Sequence, residues 1–310
     1  MPVLLIAHST FPEVWREAFH SAFREESLLI WPDVREPEAV ECAVVARPQA
    51  GVLSKLPNLK LISSTGMGVD HILALPDLPR AVPLARVVTA EMLDQVSEYA
   101  TLAVLRVERD SDRYDQLQSD RKWQRRMSGR PSGRRRVGVL GWGVIGREIA
   151  RRLTFLGFPL QAWARTARAE AGVDIHAGAE GLKVVLAESD ILISALPGTP
   201  ETYNILDVQR LAMLPLGAHI VNIGRGEHIA DEALVAALDN GHLSGATLDV
   251  FRAEPLPSDH PFWRHPKIRV TPHSAGLLSP ADSAAAILNN LRRVRSGLAP
   301  ENQVDAGRGY

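Results

Sequence analysis

The sequence predicts an α/β fold of two doubly wound parallel-sheet domains. Three observations point there: short apolar runs alternate with amphipathic stretches over residues 1 to about 90, the alternation resumes from residue 137, and a G-x-G-x-x-G turn opens that second series. A chain of 310 residues with 45% hydrophobic and 23% charged side chains has apolar material for two buried cores, so disorder is not expected.

The first series has apolar runs at 3–7, 28–31, 43–46 and 59–63 and an amphipathic stretch at 11–23. Runs this short read as strands buried on both faces, and strands separated by helices pair in parallel. The run at 59–63 leads into Ser64-Thr65-Gly66-Met67-Gly68-Val69-Asp70-His71. A glycine-containing turn at a strand's carboxyl end is where open α/β sheets bind ligands, and its successive N–H groups can form an anion nest. Plain turn chemistry explains the same loop equally well.

Met92, Val96, Tyr99, Ala100, Ala103 and Val107 recur at threes and fours, so 91–109 reads as a long helix carrying the chain out of the first domain. The character then changes. Residues 121–136 hold eight basic side chains, Arg121, Lys122, Arg125, Arg126, Arg130, Arg134, Arg135 and Arg136, interrupted by Trp123, Gly129, Pro131 and Gly133. With a formal net charge of −1 for the whole chain, a connecting loop or subunit-contact arm is the better reading than a nucleic-acid patch.

Val137-Gly138-Val139-Leu140 then runs into Gly141-Trp142-Gly143-Val144-Ile145-Gly146, followed by helical spacing. In such a strand-to-helix turn the first glycine makes the bend, the second lets a pyrophosphate approach the backbone, and the third lets helix and strand pack closely. This is the mark of a Rossmann dinucleotide-binding domain. Strands are expected at 160–164, 191–196, 219–223, 245–250 and 268–271, with helices at 144–156, 180–188, 205–214 and 231–239. After Pro280, residues 281–295 read as a helix returning to the first domain, and 303–310 as a polar tail.

No apolar stretch approaches the roughly 20 residues of a membrane-spanning helix, and residues 1–7 read as a first strand rather than a signal peptide. The single cysteine, Cys42, excludes an internal disulfide and suits a cytoplasmic location.

An acid about 20 residues past the glycine loop holds the ribose hydroxyls of NAD, whereas an arginine accommodates the 2′-phosphate of NADP. Nineteen residues after Gly146 stands Arg165, in Ala164-Arg165-Thr166-Ala167-Arg168, with no acid at the strand end. Arg165, Thr166 and Arg168 therefore favour NADP(H), with NAD(H) still possible, because a guanidinium pairs bidentately with a phosphate.

Three later strand ends carry polar groups that a core does not need. They are Arg225 in Asn222-Ile223-Gly224-Arg225-Gly226, Glu254 in Leu248-Asp249-Val250-Phe251-Arg252-Ala253-Glu254-Pro255, and His273 in Thr271-Pro272-His273-Ser274-Ala275-Gly276. Singly, each has an ordinary explanation in an ion pair, a loop or a satisfied imidazole. Together beside a dinucleotide site they match the needs of 2-oxo acid reduction: a proton donor in His273, a carboxylate in Glu254 to raise its pKa, and a cation in Arg225 for carboxylate and carbonyl oxygen.

These motifs, with Leu196-Pro197-Gly198-Thr199-Pro200-Glu201-Thr202, resemble in order and spacing the signature series of the D-isomer-specific 2-hydroxyacid dehydrogenases across essentially the whole chain. Within that family the likeness is to bacterial glyoxylate/hydroxypyruvate reductases of the A type, through Gly66-Met67-Gly68-Val69-Asp70, Trp163-Ala164-Arg165-Thr166 and the ending at 303–310. The resemblance implies Arg225, Glu254 and His273 as the catalytic set and the amides of Met67 and Gly68 on the substrate carboxylate. Around the cofactor it places Gly141, Gly143, Val144, Ile145 and Gly146, then Leu196, Pro197, Thr202, Ile223, Gly224, His273 and Gly276, with Asp249 on the nicotinamide carboxamide.

It further implies a discontinuous, flavodoxin-like substrate domain (1–100 and 278–310), a dinucleotide-binding domain inserted at 101–277, closure of the two over the ligand, and a homodimer. One departure stands out: Val45-Ala46-Arg47-Pro48 has a small Ala46 where relatives place a bulky aromatic, which leaves the preferred 2-oxo acid open. The rival readings are a dehydrogenase for a bulkier 2-oxo or 2-hydroxy acid and a corepressor-like protein that senses the dinucleotide without turnover.

Overall fold

The computed structural model describes residues 2–6, 13–125, 134–170 and 172–309. The sequence expectations for Ala7, for Phe11, for the middle of the basic stretch at 126–133 and for Tyr310 fall outside them. In chain order come β1 (Val3–Ile6), α1 (Glu13–Ala22), β2 (Leu28–Ile30), β3 (Cys42–Val45), β4 (Leu61–Ser64), α2 (Asp70–Leu73), β5 (Leu84–Ala85), α3 (Ala90–Glu108) and α4 (Ser111–Ser119). Then follow β6 (Val137–Leu140), α5 (Val144–Phe155), β7 (Leu160–Ala164), β8 (Asp174–Ala177), α6 (Gly178–Glu188), β9 (Ile191–Ser194) and α7 (Val208–Leu211). β10 (Ala218–Asn222), α8 (Asp231–Asp239), β11 (Leu243–Leu248), β12 (Ile268–Val270) and α9 (Pro280–Arg295) complete the order.

The chain divides into two compact units, Met1–Met92 with Leu277–Tyr310, and Leu93–Gly276. In the first, five strands pair in parallel in the order β2-β1-β3-β4-β5. Side chains alternate between its two faces, as the pleat requires. Leu4, Ala43, Val45 and Ile62 pack with Val69 and Ile72, while Val3, Leu5, Cys42, Val44 and Leu61 pack with Phe19 of α1 and with Ala284, Ile287 and Leu291 of α9. Cys42 is fully buried there, and burial pushes its thiol up to about 12.

The second unit holds a parallel seven-stranded sheet in the order β12-β11-β10-β9-β6-β7-β8. The chain enters at β6, builds outward through β7 and β8, then crosses to β9 on the other side of β6. That reversal between β6 and β9 is the switch point at which a doubly wound sheet opens a crevice. Val137, Val139, Ile191, Ile193 and Val221 face one layer of helices, and Leu140, Leu192, Ile220, Ala246 and Leu248 the other. Gly138 is needed on the second face, because a Cβ there would collide with the Ser189 hydroxyl at the end of α6.

Some elements differ from the sequence expectation. The helix expected over 205–214 shrinks to the single turn of α7, since the Asp207 carboxylate caps it by accepting from the Arg210 N–H at 2.8 Å and Leu206 is bridged to Ile229. α4 went unread because it buries no residue and carries no apolar stripe. It is held instead by Asp112 and Asp115, which pair with Arg106. β8, with Asp174 exposed at the sheet edge, lacks the apolar run that marks inner strands. Of the basic stretch, Arg135 faces Glu108 and Asp110, Arg136 faces Glu188, and Arg134 stacks on Phe158. Among the described residues no helix is long and apolar enough to cross a membrane.

His219 in β10 is 5% exposed, and its Nε2 lies 3.1 Å from the Thr247 hydroxyl. Gly245 makes the room: a Cβ there would stand 2.9 Å from the ring. Burial pushes the imidazole from its ordinary 6.5 down to about 4. Unfolding therefore takes up a proton between those values, so stability is full above pH 6.5 and declines toward pH 4. Urea unfolding of the wild type and of His219→Gln between pH 7 and 4 is expected to show about 3 kcal/mol less loss in the variant. Parallel pH profiles would reject this assignment.

Candidate active site

The candidate site residues of the second unit leave the carboxyl ends of its parallel strands. At β6 the glycine turn divides its labour. Gly141 has φ +102°, and a Cβ on it would lie 2.7 Å from the Ala195 carbonyl oxygen, so both conformation and space demand glycine. A Cβ on Gly146 would collide with the Gly141 carbonyl oxygen, which is how α5 sits tight on the turn. Gly143 has nothing within 4 Å of its Cβ position. It is the N-cap of α5, without a side-chain cap and without an acid in the first turn. The Val144, Ile145 and Gly146 amides are first-turn donors with no partner inside the helix, at the positive end of its dipole. Open space in front of uncapped amides fits a pyrophosphate.

Arg165, Thr166 and Arg168 follow β7 and are all exposed. The one acid in 165–170, Glu170, accepts the indole N–H of the buried Trp142 at 2.7 Å, which ties this segment back to the glycine turn. Arg165 is also felt by Glu201. That carboxyl is held below its usual range by its own backbone N–H and the Thr199 hydroxyl, with the Arg165 charge adding to both.

After β9, Leu196 packs beside Gly141. The Thr202 hydroxyl donates to the Pro197 carbonyl at 2.7 Å and accepts the Thr199 N–H at 2.9 Å, so its hydrogen bonds shape its own turn. After β10, Asn222 braces the next loop: its amide donates to the Arg225 carbonyl at 2.8 Å and its oxygen accepts the Gly224 N–H at 3.2 Å. Ile223 is half-buried within that brace. Arg225 donates through Nη1 to the Gly224 carbonyl at 2.7 Å. Gly226 has to be glycine because a Cβ would collide with the backbone of Phe251 and Arg252, so the Arg225 loop lies directly on the segment leading to Glu254.

Glu254 and His273 meet. Nδ1 of His273 lies 2.8 Å from Oε2 of Glu254, whose Oε1 accepts the Phe251 N–H at 3.0 Å. Because Glu254 holds Nδ1, Nε2 is left to face outward from a side chain 51% exposed. The hydrogen bond to Glu254 raises the His273 pKa against burial, with the Glu254 charge adding and the Arg225 charge opposing. Burial works to raise the Glu254 carboxyl, but the bonds from His273 and Phe251 and the charges of His273 and Arg225 outweigh it and lower the pKa. All three residues of the expected catalytic set thus feel one another.

His273 has φ 52°, a left-handed conformation that a non-glycine residue adopts only when its surroundings impose it. Asp249 imposes it. Its carboxylate, 1% exposed, accepts the Thr271 hydroxyl at 2.6 Å and the Ser274 and Ala275 amides at 2.9 Å each, and its backbone carbonyl accepts the His273 N–H at 2.8 Å. Thr271 in turn lies 2.6 Å from the Tyr99 hydroxyl of α3. Gly276 follows this turn as the last residue of the unit.

In the first unit, the Ser64 hydroxyl accepts the Gly66 N–H at 3.1 Å, closing a turn after β4. Neither the Met67 nor the Gly68 amide is bonded to another described residue. Ala46 is pinned by His71, whose Nε2 lies 2.8 Å from its carbonyl. Sequence reasoning missed His228, Thr271, Tyr99 and the Trp142–Glu170 pair, since each acts through burial or a partner far along the chain.

A family model described as D-isomer specific 2-hydroxyacid dehydrogenase, NAD binding domain, matches residues 101–275. The chain is 38% identical over 309 residues to glyoxylate/hydroxypyruvate reductase A of Serratia proteamaculans, covering 94% of this chain and 98% of the relative. A D-isomer specific 2-hydroxyacid dehydrogenase of Xanthobacter autotrophicus Py2, solved in complex with NADPH and MES, superposes with a TM-score of 0.92 at 37% identity, covering 99% of each chain. An NADPH-dependent glyoxylate/hydroxypyruvate reductase of Sinorhizobium meliloti, solved with NADP and sulfate, gives 0.91 at 33% identity, covering 100% of this chain and 99% of that one.

The glycine turn yields a contrast. Gly143→Ala is expected to leave thermal stability nearly unchanged while weakening NADPH binding at least tenfold, because the methyl fills the open cradle. Gly146→Ala is expected to cost about 1–3 kcal/mol of stability as an overpacked contact. Calorimetry with and without NADPH checks both, and equal destabilisation would contradict the division of roles.

Proposed function

The chain belongs to the D-isomer specific 2-hydroxyacid dehydrogenase family, and on that premise we propose that it reduces a small 2-oxo acid of the glyoxylate/hydroxypyruvate class to the 2-hydroxy acid with NADPH. The observation that carries the chemistry is the Glu254–His273 pair with Arg225 in its field. His273, kept protonated to higher pH than a free imidazole, gives its Nε2 proton to the carbonyl oxygen as that oxygen becomes a hydroxyl. Glu254 keeps Nδ1 protonated and stabilises the imidazolium beforehand. Arg225 binds the substrate's carboxylate and polarises its carbonyl. In the first unit, the Met67 and Gly68 amides are the donors we assign to the substrate carboxylate, so that unit is the substrate domain.

The residues that hold the cofactor are those of the glycine turn, Gly141, Gly143, Val144, Ile145 and Gly146, with the Arg165, Thr166 and Arg168 segment on the 2′-phosphate. Leu196, Pro197, Thr202, Ile223, Gly224 and Gly276 line it, and Asp249 reaches the carboxamide through the capacity left on Oδ2, which accepts one of the amides. Bound NADPH supplies the hydride. Trp123, fully exposed within the basic stretch, supports a subunit contact in a homodimer, and the single buried cysteine suits the cytoplasm.

Arg165→Asp is expected to raise KM for NADPH about 10- to 100-fold, the worth of a charged hydrogen-bonded contact, and KM for NADH by much less. Equal effects on both would sink the 2′-phosphate assignment. His273→Ala is expected to lower kcat with glyoxylate about 10²- to 10⁴-fold while NADPH binding persists. Because Glu254 raises the His273 pKa, reduction is present below that pKa and is lost as pH rises through it. Glu254→Gln moves this basic limb to lower pH; an unmoved limb in the pH profile of kcat/KM would contradict the pairing.

A further inference from the structure

We propose that His228, which lies outside the proposed catalytic set, is a positioning residue that locks the Arg225 loop to the turn at 197–202 on the cofactor side. This rests on the reading of Arg225 as the substrate-binding cation. The imidazole is fully buried. Its Nδ1 lies 3.2 Å from the Arg225 backbone nitrogen and 3.0 Å from the Ser194 hydroxyl, and its Nε2 lies 3.1 Å from the Pro197 carbonyl oxygen. The backbone N–H of Arg225 only donates, so Nδ1 is the acceptor; the Pro197 carbonyl only accepts, so Nε2 carries the proton. Both partners are satisfied by one neutral tautomer and no other form of the ring.

The two ends of that ring reach different machinery. Pro197 shares its carbonyl between His228 and the Thr202 hydroxyl, which also holds the Thr199 N–H. Arg225 has its backbone bound on both sides, its N–H to the ring and its carbonyl to Asn222 and to the His228 N–H. Gly224 is glycine because a Cβ would stand 2.7 Å from the ring and 2.8 Å from the Leu196 carbonyl oxygen. Backbone pairing of Asn204 to Glu227 and of Leu206 to His228 already zips the two segments together. What the ring adds is direction: it fixes the amide that sets where the Arg225 side chain starts.

The test separates the ring's ends. His228→Asn keeps an acceptor near the Nδ1 position and loses the bond to Pro197; His228→Gln keeps a donor near the Nε2 position and loses the bond to Arg225. NADPH affinity is read by fluorescence titration, oxalate binding by the same signal in the ternary complex, and turnover with glyoxylate at saturating NADPH. In the Asn variant the loss is expected to fall mainly on NADPH affinity, about 3- to 10-fold, and in the Gln variant mainly on oxalate affinity and kcat/KM for glyoxylate, by a similar factor, the worth of one hydrogen bond.

Losses of equal size in all readouts for both variants, tracking a fall in Tm, would reduce His228 to a packing residue and overturn the proposal, as would no loss in either. If the wild type binds NADPH and oxalate but turns over no glyoxylate, the substrate reading fails, while the Asn and Gln contrast in affinities still tests the positioning. Should both variants fail to fold, ¹⁵N ring NMR of the wild type decides. The His228 ring, correlated through bonds to its own amide, is expected to be Nε2-protonated, and its Nε2 resonance to shift on NADPH addition; the other tautomer or an unmoved resonance overturns the proposal.

Discussion

A parallel sheet has to be covered on both faces, and this constraint organises everything else in the second unit. The strands of that sheet run the same way, successive ones are joined by crossovers, and each therefore releases its chain at the same edge. The glycine turn, the Arg165 segment, the turn at 197–202, Arg225, Glu254 and His273 are gathered there by topology, although 132 positions separate Gly141 from His273. Two-sided burial makes the platform stiff, so short loops can hold groups in conformations that an isolated peptide would not populate.

Asp249 shows how that stiffness becomes chemistry. A buried carboxylate is costly unless its oxygens find donors, and here one hydroxyl and one amide satisfy Oδ1 while a second amide reaches Oδ2. Satisfying the charge dictates the path of residues 271–275, and that path forces the left-handed backbone of His273. The strain of roughly 1–3 kcal/mol for such a residue is offset by the network that imposes it. Asp249 thus shapes the backbone that carries the His273 imidazole, and Tyr99 extends the same chain of bonds into α3.

The charges of the site are graded rather than simply opposed. The hydrogen bond and charge of Glu254 raise the His273 pKa while burial and the Arg225 charge oppose them, and the net effect keeps the imidazole protonated to higher pH than a free one. The Arg225 loop is braced by Asn222, by His228 and by the backbone of Phe251 and Arg252 packed on Gly226. A guanidinium pairs with its partners through a fixed planar fork, so orientation matters, and these braces fix the backbone from which the Arg225 side chain leaves.

Much of this was legible in the residues. Periodicity revealed nearly every inner strand and the long helices, because two-sided burial writes an apolar run into the sequence; the glycine spacing revealed the strand-to-helix turn, because only glycine has the required φ and clearance. Arg165, Arg225, Glu254 and His273 stood out because charged groups at successive strand ends have no place in a core. α4 and β8 left no such mark, being polar and peripheral. What only the tertiary structure decided is which groups are spent on which partner: that Asp249 is occupied by the His273 turn, that Glu170 answers Trp142, that His219 and His228 are buried among partners of their own. The sequence determines the chemistry available along one dimension. Burial, which sets the cost of every unpaired charge and so the partner each group must find, exists only once distant strands lie side by side.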